Sequence, residues 1–168
     1  MFSFLKKNQK EKELKVSNED KGNFEFQLEL RPHEVDNLSI VKLPTEFIPY
    51  ESDKFRAKTE DGKKTISITN YRLNGEKPAI NKQFFEELKL DLYERFVTEG
   101  EYEPYDDLKV TDEFIRKSFK VDEETQYYFT SARIIDGSLI VTEFIIREIG
   151  GYNRYMQPTL EIINKSIQ

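Results

Sequence analysis

The chain has 168 residues and a formal net charge of -6, from 26 Lys and Arg side chains against 32 Asp and Glu. It has no Cys and a single His, which excludes a disulfide framework, a thiolate metal site and a cysteine nucleophile. The acidic balance argues against a general nucleic-acid binder, because such proteins carry a basic surface. We expect no metal, no cofactor and no nucleic-acid partner.

The sequence also lacks an apolar run of about 18 residues, the length that a membrane-spanning helix needs. Its first residues are apolar and then basic, which is the reverse of the order in a secretory signal. These patterns predict a cytoplasmic protein without stable membrane insertion.

The polar residues 1–23 predict an N-terminal extension, and residues 24–168 are predicted to form one domain, a usual size for a single core. Within that domain, Phe24, Phe26, Leu28 and Leu30 alternate with polar residues, which predicts a strand with one wet face. We expect Pro32 to end this strand, because proline lacks the N–H that a ladder needs. His33 would then be a loop histidine.

Two further strands are predicted before the middle of the chain. Leu38–Pro44 is a short apolar run that ends at a proline. Thr65–Tyr71 alternates, with Ile66 and Ile68 on one side.

The clearest helical pattern covers Ile80–Glu99, where apolar residues recur at a spacing of four. Asn81 is the predicted N-cap, and Gly100 lies where a helix would end. An amphipathic helix needs an apolar surface to pack on, and a sheet is the natural partner.

The second half of the chain is predicted to be mostly strands joined by hairpins. Asp136–Gly137 lies between two apolar runs, as in a type I′ turn. Leu139–Ile146 is almost continuously apolar, which predicts a central strand. Pro158–Ile167 predicts a short final helix. The fold class is therefore α+β: a predominantly antiparallel sheet with a long mid-chain helix and a C-terminal helix packed on it.

This order of elements resembles the PsbP-like superfamily, which includes the Ran guanine-nucleotide release factor and bacterial members of unknown function. The resemblance covers roughly residues 38–167. It rests on Leu43–Pro44 followed by Phe47, on the mid-chain helix and the Asp136–Gly137 hairpin, and on the closing segment Leu160–Ile167 with its Ser before an apolar residue. It implies a sandwich fold and protein binding rather than chemistry, and it supplies no catalytic residues.

Two aromatic segments are candidate binding surfaces, because Tyr and Arg are enriched at protein interfaces. The candidate partner-binding residues are Tyr102, Tyr105, Asp106, Tyr152, Arg154 and Tyr155. The first three lie in the acidic segment 99–107, which can also be read as a solvated loop or a calcium loop. Tyr152 and Met156 can also be read as residues that pack under the last helix.

The sequence thus predicts a non-enzymatic cytoplasmic domain that binds another protein. Its negative charge favours a basic partner. An accessory or immunity-type role in a bacterial secretion or toxin system is one setting for such a domain. The alternative is a small-ligand-binding or enzymatic domain with a pocket between helix and sheet.

Overall fold

The computed structural model describes residues 17–19, 23–25, 28–88, 103–104 and 108–168. These residues form an α+β fold with a mostly antiparallel sheet, which confirms the predicted fold class at that level. The strands are β1 (Ser17–Glu19), β2 (Asn23–Glu25), β3 (Leu30–Val35), β4 (Ser39–Pro44), β5 (Ile48–Pro49), β6 (Phe55–Lys58), β7 (Lys64–Leu73), β8 (Glu103–Pro104), β9 (Lys109–Val110), β10 (Phe114–Val121), β11 (Glu124–Ile135) and β12 (Ser138–Ile149). The helices are α1, described over 82–88, and α2 (Met156–Lys165).

The main sheet has the strand order β5-β6-β7-β12-β11-β10-β8, with β9 beside β10, and each neighbouring pair is antiparallel. The nearly continuous apolar strand β12 lies in the middle, as predicted. Its hairpin with β11 turns at Asp136 (φ 46°) and Gly137 (φ 73°). Positive φ at both positions is the mark of a type I′ turn, so this prediction is also confirmed.

One face of the main sheet carries the larger apolar core. Inward residues of β7, such as Ile66 and Ile68, are fully buried, as predicted. The hairpin β3–β4 and the helix α2 cover this face; among the covering side chains, Val41, Leu43 and Leu160 are fully buried. Each such side chain contributes roughly 1.5–3 kcal/mol through the removal of its apolar surface from water.

Polar side chains fix both ends of α2 against the strands. Near its start, buried Gln157 donates from Nε2 to the Lys117 carbonyl and to the Ser118 hydroxyl, both at 3.0 Å. Near its end, the Arg133 guanidinium donates to the carbonyl of Asn164 at 3.3 Å. Burial lowers the pKa of Arg133 to about 10. A cation at this position also complements the negative end of the helix dipole.

The opposite face packs against α1 over the strands β10 and β11. Asn81 caps this helix, because its Oδ1 accepts the Phe84 N–H at 3.1 Å, as predicted. Phe85 is fully buried against Ile115, Phe119 and Tyr128. The predicted continuation of the helix to Glu99, and its end at Gly100, lie outside the described residues.

The predicted strand over Phe24–Leu30 is wrong both in its continuity and in its end. Residues 28 and 29 lie outside strands between β2 and β3, and β3 runs from Leu30 through Pro32 to Val35. Pro32 lies opposite Lys42 of β4, and the Lys42 N–H points away from β3 to the Ser166 hydroxyl. Pro32 therefore occupies a pair that exchanges no hydrogen bonds, where the missing N–H costs nothing. His33 is accordingly a strand residue with a half-buried side chain, not a loop histidine.

The C-terminal residues extend along the outer edge of β4. Gln168 and Ile40 exchange two backbone hydrogen bonds, of 2.9 and 3.0 Å. The Ser166 hydroxyl accepts from the Lys42 N–H at 2.9 Å and donates to the Ile163 carbonyl at 2.6 Å. The predicted last helix therefore ends at Lys165, and the residues after it complete a strand edge.

Four short strands had no sequence prediction. One of them is β8, which pairs with β10 and lies inside the acidic segment 99–107. β1 lies within the predicted polar extension and pairs with β2, and β5 and β6 form the sheet edge beside β7. Among the described residues, neither helix is long and apolar enough to cross a membrane.

Candidate functional site

Two adjoining cavities form an open groove, which we call the acidic groove, at the end of the sheet where β7 begins. Their volumes are about 500 Å³ and about 340 Å³, and they share Thr45, Glu46 and Lys64. The remaining lining residues are Ile48, Thr59, Glu60 and Asp61 in the first cavity, and Leu28, Glu29, Pro44, Asn153, Tyr155, Met156 and Thr159 in the second. Four distant segments thus meet here: the residues before β3, the end of β4, the β6–β7 turn and the start of α2.

The β6–β7 turn holds one wall of the groove. The Thr59 hydroxyl donates to Asp61 Oδ1 at 2.6 Å, and the Lys63 N–H donates to the same oxygen at 3.0 Å. The Thr59 hydroxyl, and next the Lys63 N–H, hold the pKa of Asp61 below its ordinary value. The carboxylate therefore stays ionised at neutral pH, and its position is fixed by the turn.

Lys64 is the basic side chain of the groove lining. Its Nζ lies 3.2 Å from one carboxylate oxygen of Glu46 and 3.4 Å from the other. The Lys64 side chain is 22% exposed and that of Glu46 is 47% exposed. This pair leaves Glu29, Glu60 and Asp61 as the other charged groups of the lining, so the groove carries a net negative charge.

The hydroxyl of the buried side chain of Tyr127 fixes the opposite wall of the groove through a hydrogen bond. The Asn153 N–H donates to Tyr127 Oη at 2.6 Å, and Asn153 Oδ1 accepts the Tyr155 N–H at 3.0 Å. Tyr127 is fully buried, and its burial raises the pKa of the hydroxyl above the ordinary value. The Tyr127 hydroxyl therefore stays neutral, and its hydrogen bond with Asn153 fixes the position of the segment before α2.

The three candidate residues in this segment take different positions. Tyr155 lines the groove, and its Oη accepts a hydrogen bond of 2.8 Å from Arg154. The Arg154 guanidinium also lies 5.0 Å from the centre of the Tyr155 ring, a cation–π distance. Tyr152 is 44% exposed, and its ring lies 6.1 Å from the ring of Tyr127.

The other three candidates, Tyr102, Tyr105 and Asp106, lie outside the described residues. Glu46, Glu60 and Lys64 carry no sequence signal that marks them as site residues. The Asp61–Gly62 pair is a turn signal, but which segment that turn faces depends on the tertiary fold. No local pattern could have brought these residues together.

The described interface of α1 and the sheet is filled by side chains. Phe84 and Leu88 pack with Phe85 on the cluster of β10 and β11 residues. A ligand pocket between helix and sheet therefore has no cleft to occupy over residues 82–88. Within the described ranges there is also no group of three or more acidic or His side chains placed to hold a metal ion.

No model of a known protein family matches this chain. No curated protein matches it significantly either.

Proposed function

We propose that this chain is a non-enzymatic protein-binding domain whose acidic groove receives a basic segment of a protein partner. The observation that carries this proposal is the composition of the groove. Among the residues that the structure describes, the charged lining consists of Glu29, Glu46, Glu60 and Asp61 on the acidic side and Lys64 on the basic side. A surface of one predominant sign attracts a partner of the opposite sign and speeds their encounter.

Apolar contact surface lies beside these charges. Ile48 lines the groove and is 55% exposed, and Tyr155 and Met156 line its second cavity. Aromatic and Met side chains are typical of interface centres, where they give large contact areas. Carboxylates around an apolar floor suit a segment in which basic and apolar residues alternate.

The test uses a fluorescein-labelled decapeptide of alternating Arg and Leu as the probe, with fluorescence anisotropy as the measurement. The double variant Glu46→Lys/Glu60→Lys reverses two charges of the groove. The matched control Glu34→Lys/Glu113→Lys makes the same change in net charge at exposed positions outside the groove. We expect the groove variant to bind at least about tenfold more weakly than the control. Equal affinities for both variants would show that the peptide senses only the overall charge, and would refute the proposal.

We further propose that the domain is a PsbP-like sandwich and that it works in the cytoplasm. The antiparallel sheet, the type I′ hairpin at Asp136–Gly137 and the closing segment with Ser166 support this relationship. The finer expectation is a mid-chain helix that continues to Glu99 along the sheet. Backbone chemical shifts over residues 89–99 test it, because a non-helical segment there would remove a main feature of the resemblance.

An accessory or immunity-type role in a bacterial secretion or toxin system is the setting we propose for such binding. Supporting this setting is the acidic groove, since a basic effector would be its natural ligand. Co-expression with a candidate basic effector tests it. A stable complex that is lost in the groove variant Glu46→Lys/Glu60→Lys, and kept in the Glu34→Lys/Glu113→Lys control, is the expected result.

A further inference from the structure

A second charged surface lies on the face of the main sheet that also carries α1, but over the strands β6, β7 and β12. Register places Lys58, Thr65 and Arg147 in one row across these strands, and Arg56, Ser67 and Ile145 in the next row. Because side chains alternate along a strand, Ile66 and Ile68 point to the buried core and their neighbours Thr65 and Ser67 point to this face. We call the set Arg56, Lys58, Thr65, Ser67 and Arg147 the cationic face.

The middle of the cationic face is formed by short polar side chains, and longer basic side chains lie on both sides of them. Thr65 and Ser67 are partly buried hydroxyl residues on β7, whereas Lys58 and Arg147 are exposed on the flanking strands. Neighbouring strands lie about 4.8 Å apart, so the backbones at Lys58 and Arg147 are separated by roughly 10 Å, with β7 between them. This width suits an extended peptide better than a single small ion.

Within the described residues, no cation of this face forms an ion pair with a carboxylate. The charge of Arg56 nonetheless acts on one carboxylate, since the hydrogen bond from Ser52, and after it the Arg56 charge, lower the pKa of Asp53. Among residues 28–88 and 108–168, neither Arg56 nor Arg147 lies within ion-pair distance of a carboxylate. Arg56 Nε is buried without a hydrogen-bond partner, and Lys58 Nζ lies 5.4 Å from the ring centre of Tyr50. The acidic Glu143 on the same face accepts a hydrogen bond of 2.7 Å from the Tyr128 hydroxyl.

These three cations gather on one face of a protein whose net charge is -6. Forming a cluster of like charges costs free energy unless an anion offsets it, and Arg is suited to carboxylates because its planar guanidinium can donate two parallel hydrogen bonds. Exposed Tyr50 and Tyr71 lie at the margins of the face, and aromatic side chains add contact area with a polypeptide.

We propose that the cationic face docks an acidic, extended segment of a protein partner across β6, β7 and β12. Arg56 and Arg147 bind its carboxylates, and the hydroxyls of Thr65 and Ser67 donate to it from the middle of the face. This surface adjoins the acidic groove at the β6–β7 turn, because Lys58 and Thr65 are next in sequence to the groove residues Thr59 and Lys64, and it has the opposite charge. The domain therefore offers two docking surfaces that select partners by opposite signs.

The probe for this proposal is a fluorescein-labelled decapeptide of alternating Glu and Ser, titrated with the full chain at about 50 mM and about 200 mM salt. The test variant is Arg56→Gln/Arg147→Gln. The matched control is Arg31→Gln/Arg72→Gln, which removes two exposed guanidinium groups elsewhere: Arg31 lies on β3, and Arg72 lies on β7 but on its other face. Because Arg56 is half-buried, the single variant Arg147→Gln is included as a substitution at an exposed position.

We expect the test variant to bind the acidic peptide about tenfold more weakly than the wild type, with a smaller loss for Arg147→Gln and no loss for the control. Binding to the wild type should weaken as salt rises. Absence of binding to the wild type, or equal losses in test and control variants, would overturn the proposal. A labelled ten-nucleotide oligothymidine that binds through the same two arginines, when the peptide does not, would overturn it in favour of a nucleic acid. Because the Arg and Leu peptide tests the other surface, either proposal can fail without the other.

Discussion

His33 lies on β3 with its ring centre 5.9 Å from that of Phe55, and its buried Nε2 has no hydrogen-bond partner in the described part of the chain. Burial, and next the charge of Arg31, lower the pKa of His33 from its ordinary value of 6.5. The folded protein therefore holds this imidazole in its neutral form. Since β3 covers the main core, protonation of one side chain bears on the packing of the whole hairpin.

The sign of the pH effect follows from that lowered pKa. As the pH falls below about 6.5, the unfolded chain takes up a proton before the folded chain does, so the free energy of unfolding decreases. The decrease levels off below the folded pKa. We expect chemical denaturation to show lower stability at pH 5 than at pH 7, and the variant His33→Phe to flatten that difference. An unchanged difference in the variant would assign the pH dependence to other groups. Asp53 and Asp61, whose pKa values are lowered from 3.8, lose their contribution in a separate, more acidic range.

The Tyr127 hydroxyl is a second point where one atom controls a larger element. Tyr127→Phe leaves the Asn153 N–H without its acceptor while the ring still fills the core. An unpaired buried donor costs about 1–3 kcal/mol, so we expect a loss of that order in denaturant unfolding. The exposed Tyr71 provides the control, because Tyr71→Phe removes a hydroxyl that no hydrogen bond in the described residues uses. Equal losses in both variants would show that the Tyr127 hydroxyl does not hold the segment before α2.

At the scale of the elements, the β11–β12 hairpin depends on backbone conformation at its turn. Gly137 has φ 73°, where an ordinary L-residue is strained by roughly 1–2 kcal/mol. We expect Gly137→Ala to lower the free energy of unfolding by about 1 kcal/mol. Gly151→Ala is the matched control, because an added Cβ meets nothing within 4 Å there. A loss in the control as large as that at Gly137 would argue against strain at the turn as the cause.

Elements with a strong local signal were predictable from the sequence. Alternating apolar residues predicted β7, the Asp136–Gly137 pair predicted a hairpin, and Asn81 predicted the start of a helix. Each of these features depends on residues that are close together in the sequence. The path of β3 through Pro32 was not predictable, because it depends on which of its pairs with β4 exchange hydrogen bonds. The short strand β6 was missed because four residues carry too little alternation to stand out.

The candidate sites depend even less on local pattern. Sequence reasoning placed Tyr155 and Arg154 on a binding surface from residue type alone, and the structure puts Tyr155 in the lining of the acidic groove. Glu46 and Lys64 meet from the two ends of a stretch of 18 positions, and Arg56 and Arg147 share a face only because β7 lies between their strands. Such neighbours follow from the strand order, which the sequence alone did not determine.

At the scale of the whole molecule, the net charge of -6 conceals an uneven distribution. The acidic groove and the cationic face lie on different parts of the sheet and have opposite signs. From the net charge alone we would expect only basic partners. A domain of this kind can join two partners of unlike charge, provided that their segments are extended enough to lie along the sheet.

The last residues of the chain take part in the hydrogen bonding of the β3–β4 hairpin. Deletion of residues 166–168 removes the bonds to Ile40 and Lys42 and leaves the outer edge of β4 open. Open edges pair with other chains. We expect the deletion to lower stability and to cause concentration-dependent association, measured by sedimentation velocity. The variant Gln168→Ala, which keeps residues 166–168, is the control and should remain like the wild type. A deletion that stays monomeric at every concentration would contradict this role.

Only the main chain of Gln168 is needed for that pairing, since both bonds to Ile40 use its N–H and C=O groups. Replacement of Gln168 by any non-proline residue should therefore keep the pairing, whereas removal of residues 166–168 should break it. Purification handles should consequently be appended after this position and never substituted for it.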